Sequence, residues 1–242
     1  LFTALKYTVA QQFATRYIYL TVAPISKTPE DQTLEYYRQN AKAYADRPIQ
    51  SFELGAVQEF TKGWAPPFGR DPRHILDAGF GAGHHLALFL ERGFRCDGFD
   101  GSEEMVTLAK QRLQKVPENQ LKLWQADFRM VKLPKETYDG IWANRIFTHL
   151  PPQLCQRVMQ SFFSALKKNG VLFASFEEPK EALPEGDQFS HHEEREGAFV
   201  KHYYGYLSHE FESLVRQSGF HPIAMGQDQN HPRRKAVLAK RI

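Results

Sequence analysis

Two acids carry the clearest chemical signal in this chain. Asp77 closes a short apolar run, Ile75-Leu76, and three glycines follow it at alternate positions, Gly79, Gly81 and Gly83. Glycine suits a loop that needs positive φ or that lets a ligand approach the backbone closely. Asp100 closes the next apolar stretch, which begins at Phe94. A carboxylate at Asp100 can accept both hydroxyls of a ribose, and one at Asp77 suits an ammonium group. The competing pattern is the dinucleotide fingerprint Gly-x-Gly-x-x-Gly, whose pyrophosphate rests on a helix N-terminus. His84 stands where its third glycine belongs, and Asp77 is awkward beside a pyrophosphate. A ligand with a ribose, a cationic tail and no phosphate fits these residues better.

Residues Ile75–Ser102 read as the β-α-β unit that positions both acids. Leu86, Leu88, Phe89 and Leu90 form an apolar face broad enough to lie against a sheet, and Gly93 stops that helix. Ser102 caps the next helix, with Glu103 and Glu104 in its first turn and Met105, Leu108, Ala109 and Leu113 on its buried side. Strands are expected at Leu121–Trp124, Thr137–Ala143 and Val171–Phe176, with a helix from Pro151-Pro152 to Lys167–Gly170 before the last of these. Upstream, Pro29–Arg47 reads as one helix and Ser51–Gly63 as a second, followed by a Pro/Gly-rich linker at Trp64–Gly69. Downstream, Glu177–Tyr206 reads as a long polar loop on the substrate side, and a helix capped by Ser208 runs to Ser218. Phe220–Met225 and Ala236–Ile242 close the chain as an antiparallel hairpin.

S-adenosylmethionine has that ribose and that cationic tail. Asp77-x-Gly79-x-Gly81-x-Gly83 followed by Asp100 resembles the class I S-adenosylmethionine-dependent methyltransferases, and the later segments agree in order. The resemblance implies an α/β fold: a doubly wound, mostly parallel seven-stranded sheet with helices on both faces and strand 7 antiparallel. It implies S-adenosyl-L-methionine as cofactor and S-adenosyl-L-homocysteine as product. Asp100, with Gly101 and Ser102 beside it, then holds the ribose, and the Gly79–Gly83 loop with Phe80 admits the methionine moiety. Asp127 matches the acid that takes the adenine amino group, and Phe128 the neighbour offering a backbone N–H. The stretch Tyr36–Ala45 resembles an N-terminal lid, so Tyr37 and Arg38, with Tyr44 behind them, are assigned to cover the methionine end. Asn144 and Arg145 leave the central strand beside the transferable methyl and are assigned to face the ligands. Met105 reads either as an adenine contact or as plain core. Asp139 is expected to be structural. The family methylates small molecules, proteins, lipids and nucleic acids, so the resemblance leaves the acceptor open.

Methyl transfer needs alignment and exclusion of water, and only sometimes a base. His149 is the candidate base, since a neutral imidazole accepts a proton near neutral pH. Its alternative is to fix the loop before Pro151. His202, Tyr203 and Tyr204 precede the last helix and are assigned, with His149, to the substrate. The loop 144–152 lacks the Asn-Pro-Pro-Tyr pattern of base methylation, and a net charge of +3 does not by itself suggest nucleic acid. His191-His192-Glu193-Glu194 has metal-ligand types without a site-defining spacing, so no metal is expected.

Cys96 and Cys155 are isolated, which favours a reducing cytoplasm. Charged and amide residues interrupt Leu1–Lys27, so no membrane span is expected there. The expected organisation is an extension over 1–28 and one methyltransferase domain over 29–242, with a helical lid at 29–68 and a substrate-side insertion at 177–206. The reading is a cytoplasmic enzyme, monomer or homodimer, that methylates a small molecule. Methylation of RNA or protein, and a non-catalytic cofactor-binding scaffold, are the alternatives.

Overall fold

The computed structural model describes residues 27–62, 72–187 and 189–242. The expected linker at 64–69, and all but the end of the expected extension, lie outside the described residues. Strands are β1 (His74–Ala78), β2 (Arg95–Asp100), β3 (Leu121–Gln125), β4 (Tyr138–Ala143), β5 (Leu166–Glu177), β6 (Phe189–Glu196), β7 (Phe199–Tyr206), β8 (Phe220–Gln227) and β9 (Arg234–Arg241). Helices are α1 (Pro29–Gln39), α2 (Ala41–Ala45), α3 (Ser51–Phe60), α4 (His84–Glu91), α5 (Glu103–Arg112), α6 (Pro152–Ala165) and α7 (Ser208–Gln217).

The main sheet has seven strands in the order β3-β2-β1-β4-β5-β9-β8. Neighbours from β3 to β5 pair in parallel, and β9 runs antiparallel to both β5 and β8. β9 is therefore the one strand of this sheet that runs against the rest, which is the expected arrangement. The order reverses between β1 and β4, and the crevice beyond their carboxyl ends is where such sheets bind ligands.

Both faces of the sheet are covered, which is why β1 is buried along its whole length. On one face Val57 and Phe60 of α3, Leu86 and Phe89 of α4, and Val106 and Ala109 of α5 pack around Trp142, which stacks on Phe173 at 3.8 Å. On the other, Leu154 to Ala165 of α6 and Phe211 and Val215 of α7 pack on β4 and β5, with Phe176 and Phe211 stacked at 4.1 Å. Ser102 caps α5 as expected, its hydroxyl accepting the Met105 N–H at 3.2 Å.

Three expectations are corrected. Pro29–Arg47 is two helices, not one, because the chain leaves helical geometry at Asn40, where the side-chain amide bonds the Tyr36 carbonyl at 2.9 Å. α6 ends at Ala165, before Lys167–Gly170, because Leu166 already pairs with Tyr138 in the sheet. The 177–206 segment is not a loop throughout: β6 and β7 form an antiparallel hairpin that turns at Gly197 (φ 60°). This hairpin leans on α1, where the His202 N–H bonds the Thr33 hydroxyl at 3.0 Å and the Tyr36 hydroxyl donates to Glu196 at 2.7 Å.

Candidate functional site

A cavity of about 280 Å³ opens at the sheet's switch point, bounded by the β1–α4 loop, the ends of β2 and β4, the α1–α2 lid and the start of α3. Gly79 turns the chain out of β1 with φ 74°, and its N–H bonds the Phe99 carbonyl at 2.8 Å. A Cβ there would lie 2.5 Å from Ile146 Cγ2. Gly81 also lines the cavity, and the space its Cβ would enter is open. That opening leaves backbone directly accessible to a ligand.

Asp77 is 2% exposed, and among the described residues its Oδ2 has no hydrogen-bond partner. Burial first, and the charge of Asp100 second, push its carboxyl well above the usual range. Asp100 accepts the Gly81 N–H on Oδ2 and the Ser102 N–H on Oδ1, both at 2.9 Å. Burial raises its pKa too, against the pull of those backbone donors. Two acids in one cavity, one with an oxygen unpartnered among the described residues, can receive a cationic group and a pair of hydroxyls.

Asp127 and Phe128 line the same cavity. The Asp127 carboxylate accepts the backbone N–H of Arg129 at 2.7 Å and its guanidinium at 2.6–3.1 Å. Arg129 also binds Asp31 of the lid at 2.7 Å. Phe80, Gly101, Met105, Asn144, Arg145 and Tyr37 line the cavity as well. Asn144 is held by Glu53 at 2.9 Å and by the Ser175 hydroxyl at 2.8 Å, which also accepts the Arg145 N–H at 2.7 Å. Arg145 adopts φ 61°, a left-handed turn that swings the chain out of β4.

His149 sits between Tyr37 and β7. Its Nδ1 lies 2.8 Å from the His202 carbonyl, which can only accept, so Nδ1 donates and Nε2 of the neutral ring accepts the Tyr37 hydroxyl at 2.7 Å. Burial pulls this imidazole down to about 3. It is therefore neutral and a weak base, held firmly on both sides.

Other assigned residues lie outside the cavity lining. Arg38 points to Glu35 on its own helix, 3.7 Å away. Gly83 is the left-handed cap of α4 packed on Ala109, and Ser102 is wholly buried under α5. The His202 ring bonds Gln32 at 2.7 Å and His191 at 3.0 Å, and only its backbone carbonyl reaches the site, through His149. Tyr203 packs at a tilt on His149 behind the wall, and Tyr204 stacks on His191. Glu53, His85, Arg47 and Arg129 line the cavity without having been singled out from sequence. Glu53 carries a signal only in hindsight: it caps α3 by accepting the Gln50 N–H at 2.9 Å. Among the described residues no group of His, Cys, Asp and Glu can hold a metal ion.

Strand order, glycine loop and paired acids define the class I, Rossmann-like methyltransferase fold. Residues 75–170 match the methyltransferase domain family. A stretch of 111 residues is 31% identical to an uncharacterised protein of Haemophilus influenzae, covering 44% of this chain and 43% of that protein, so the match spans under half of that relative. Among solved structures, the 1,6-didemethyltoxoflavin N1-methyltransferase of Burkholderia thailandensis, with 1,6-didemethyltoxoflavin and S-adenosylhomocysteine bound, aligns with a TM-score of 0.64 at 19% identity over 88% of this chain and 86% of that one. The magnesium protoporphyrin IX methyltransferase of Synechocystis, with S-adenosylmethionine bound, aligns with a TM-score of 0.64 at 18% identity over 90% and 99%. The cyclase SpnF aligns equally well, at 0.64 and 12% identity over 90% and 97%. The same fold thus also hosts an enzyme named for a different reaction, so fold alone does not assign chemistry.

Proposed function

We infer that the chain is an S-adenosylmethionine-dependent methyltransferase acting on a small molecule. The carrying observation is the Asp77 Oδ2, unpartnered among the described residues, in a cavity it shares with Asp100. The residues fit the cofactor: Asp77 faces its ammonium, the remaining lone pairs of Asp100 take its ribose hydroxyls, and the open side of Gly81 admits its methionine chain. Phe128 and Met105 supply an apolar seat for adenine. When bound, the cofactor supplies an electrophilic methyl group on a sulfonium leaving group. The chain's own work is to orient the acceptor, exclude water and handle its proton. The cavity is lined by the lid residues Tyr37 and Tyr44, which supports a small acceptor, since a polymer needs an open groove.

Calorimetric titration tests this reading. Saturable binding of S-adenosylmethionine is expected, with none of NAD or NADP. Asp100→Ala removes up to two hydrogen bonds to a charged acceptor, about 3–6 kcal/mol, so affinity should fall by roughly 10²- to 10⁴-fold with the fold retained. Undiminished affinity in that variant, or binding of a dinucleotide alone, would refute it.

A further inference from the structure

Lys201 of β7 is 5% exposed, and its ammonium sits among four tyrosine rings. Its Nζ is 4.7 Å from the centroid of Tyr36, 5.6 Å from those of Tyr37 and Tyr44, and 4.7 Å from that of Tyr203. Such ring faces stabilise a desolvated cation. The hydrogen bond it makes among the described residues is to the Tyr44 hydroxyl oxygen, at 2.8 Å. The acids of β6 bond other side chains, Glu196 the Tyr36 hydroxyl and Glu194 the Lys180 ammonium, although Glu194 still feels the charge of Lys201. From the other side the Arg47 guanidinium stacks over the Tyr44 ring at 3.8 Å. Two cations therefore converge on one phenol, and that phenol lines the cavity while Lys201 stands behind it.

The neighbouring phenol is arranged in the opposite sense. Tyr37 spends its proton on His149 Nε2. The Tyr44 oxygen instead accepts from the Lys201 ammonium at 2.8 Å, with the Tyr36 and Tyr37 hydroxyls also within its hydrogen-bonding group, an environment that favours the ionised phenol. Burial alone would raise the Tyr44 pKa, but the hydrogen bond and charge of Lys201 and the charge of Arg47 outweigh it and leave the phenol below its ordinary value. The other tyrosines among the described residues are all pushed up, burial being the first cause in each. His149, the base expected from sequence, holds a proton too weakly to serve at neutral pH.

We propose that Tyr44, poised by Lys201, is the general base of the site, and that the methyl acceptor is therefore a compound whose reacting hydroxyl or N–H must lose a proton. This rests on the methyltransferase reading. The step starts from the ionised form of Tyr44, whose proton has gone to solvent. The acceptor's O–H or N–H bond breaks, its proton joins the Tyr44 oxygen, and the electron pair left on the acceptor atom forms the new bond to carbon. The old carbon–sulfur bond breaks with its pair returning to sulfur, so the phenolate and sulfonium charges cancel. Tyr44 is the catalytic residue and Lys201 a positioning residue. The groups that set this titration are Arg47 beside Tyr44, Tyr36 and Tyr37 of α1, Lys201 and Tyr203 of β7, and Glu194 and Glu196 of β6.

Spectrophotometric titration of tyrosinate in the full chain reads the pair without any acceptor. The wild type should show one phenol ionising at lower pH than the rest. Tyr44→Phe should lack that component, Lys201→Met should move it to higher pH, and the charge-preserving Lys201→Arg should keep it. Identical curves for wild type and Tyr44→Phe would overturn the proposal. Separate titration of the wild type with S-adenosylmethionine keeps the two readings apart: absent binding with the low component intact overturns the methyltransferase reading, not the ionisation. With methyl-labelled cofactor and a panel of phenols, alcohols and amines, Tyr44→Phe should lower kcat about 10²-fold or more and remove the lower limb of the pH profile. A wild-type pH profile in Tyr44→Phe, or no transfer to any member of the panel, would overturn the assignment of the base.

Discussion

Asp77→Asn should separate stability from binding. The wild-type carboxylate is 2% exposed, has an oxygen unpartnered among the described residues and is held above its usual pKa by burial and by Asp100. Between the ordinary carboxylate value and that raised value, the folded state binds more protons than the unfolded one. Stability therefore falls as pH rises through this window and is lowest above it. Asparagine keeps the shape and drops the charge, so the cost of desolvating the ionised group, about 1–3 kcal/mol, is relieved while a neutral polar atom takes its place. At roughly 2–4 °C per kcal/mol for a chain of this size, the melting temperature should rise by about 2–12 °C at neutral pH. The gain should shrink toward acid pH, where the wild-type carboxyl is protonated in the fold. With Asp77 placed against the cofactor's ammonium as proposed, the same variant should remove that counter-charge, an expected loss of about 3–5 kcal/mol or roughly 10²- to 10⁴-fold in affinity. Thermal melts at acid and neutral pH, with and without cofactor, read both effects together. A variant that melts lower than wild type at neutral pH, or that binds the cofactor within threefold of it, refutes the reasoning.

Gly79→Ala should destabilise the chain by about 1–3 kcal/mol in urea unfolding, because the residue has φ 74° and its new Cβ would lie 2.5 Å from Ile146. Arg129→Met cuts the link from Asp127 to Asp31, 2.7 Å at the lid end. With both partners about a third exposed, the link is worth under about 1 kcal/mol. Amide exchange in α1 should therefore quicken while global stability barely moves, and unchanged exchange would count against Arg129 as the lid's tether. Cys96 and Cys155 are both fully buried, and burial pushes their thiols up, Cys155 to about 12. Neither should react with a disulfide reagent in the native protein, and both should react in denaturant; rapid native labelling would contradict the packing.

Much of this molecule is legible in its primary structure because the signals are local. The alternation of apolar runs with caps and glycines marks β1-α4-β2, and the acids at the ends of two strands can be found without knowing which strands pair. Asp77, Gly79, Gly81 and Asp100 needed no tertiary information, since a strand–turn–helix unit places them by itself. The sheet order and the lone antiparallel β9 came from resemblance, not from residue pattern. The β6–β7 hairpin was not visible, because Ser190-His191-His192-Glu193-Glu194-Arg195 has the polarity of a loop and becomes a strand only through pairing with β7 and contact with α1.

Side-chain roles separated along the same line. Arg38, adjacent in sequence to Tyr37, faces away from the cavity because successive helical residues point about 100° apart. His149 has the right chemistry for a base, and only the approach of the Tyr37 hydroxyl and the His202 carbonyl makes it a buried neutral ring. Tyr44 and Lys201 stand 157 residues apart and meet only because the hairpin folds against the lid. The sequence by itself determined which residue types were available and the backbone cradle built from one local unit. The tertiary structure decided their protonation and their partners, because burial and charge proximity depend on distances in space that no spacing along the chain encodes.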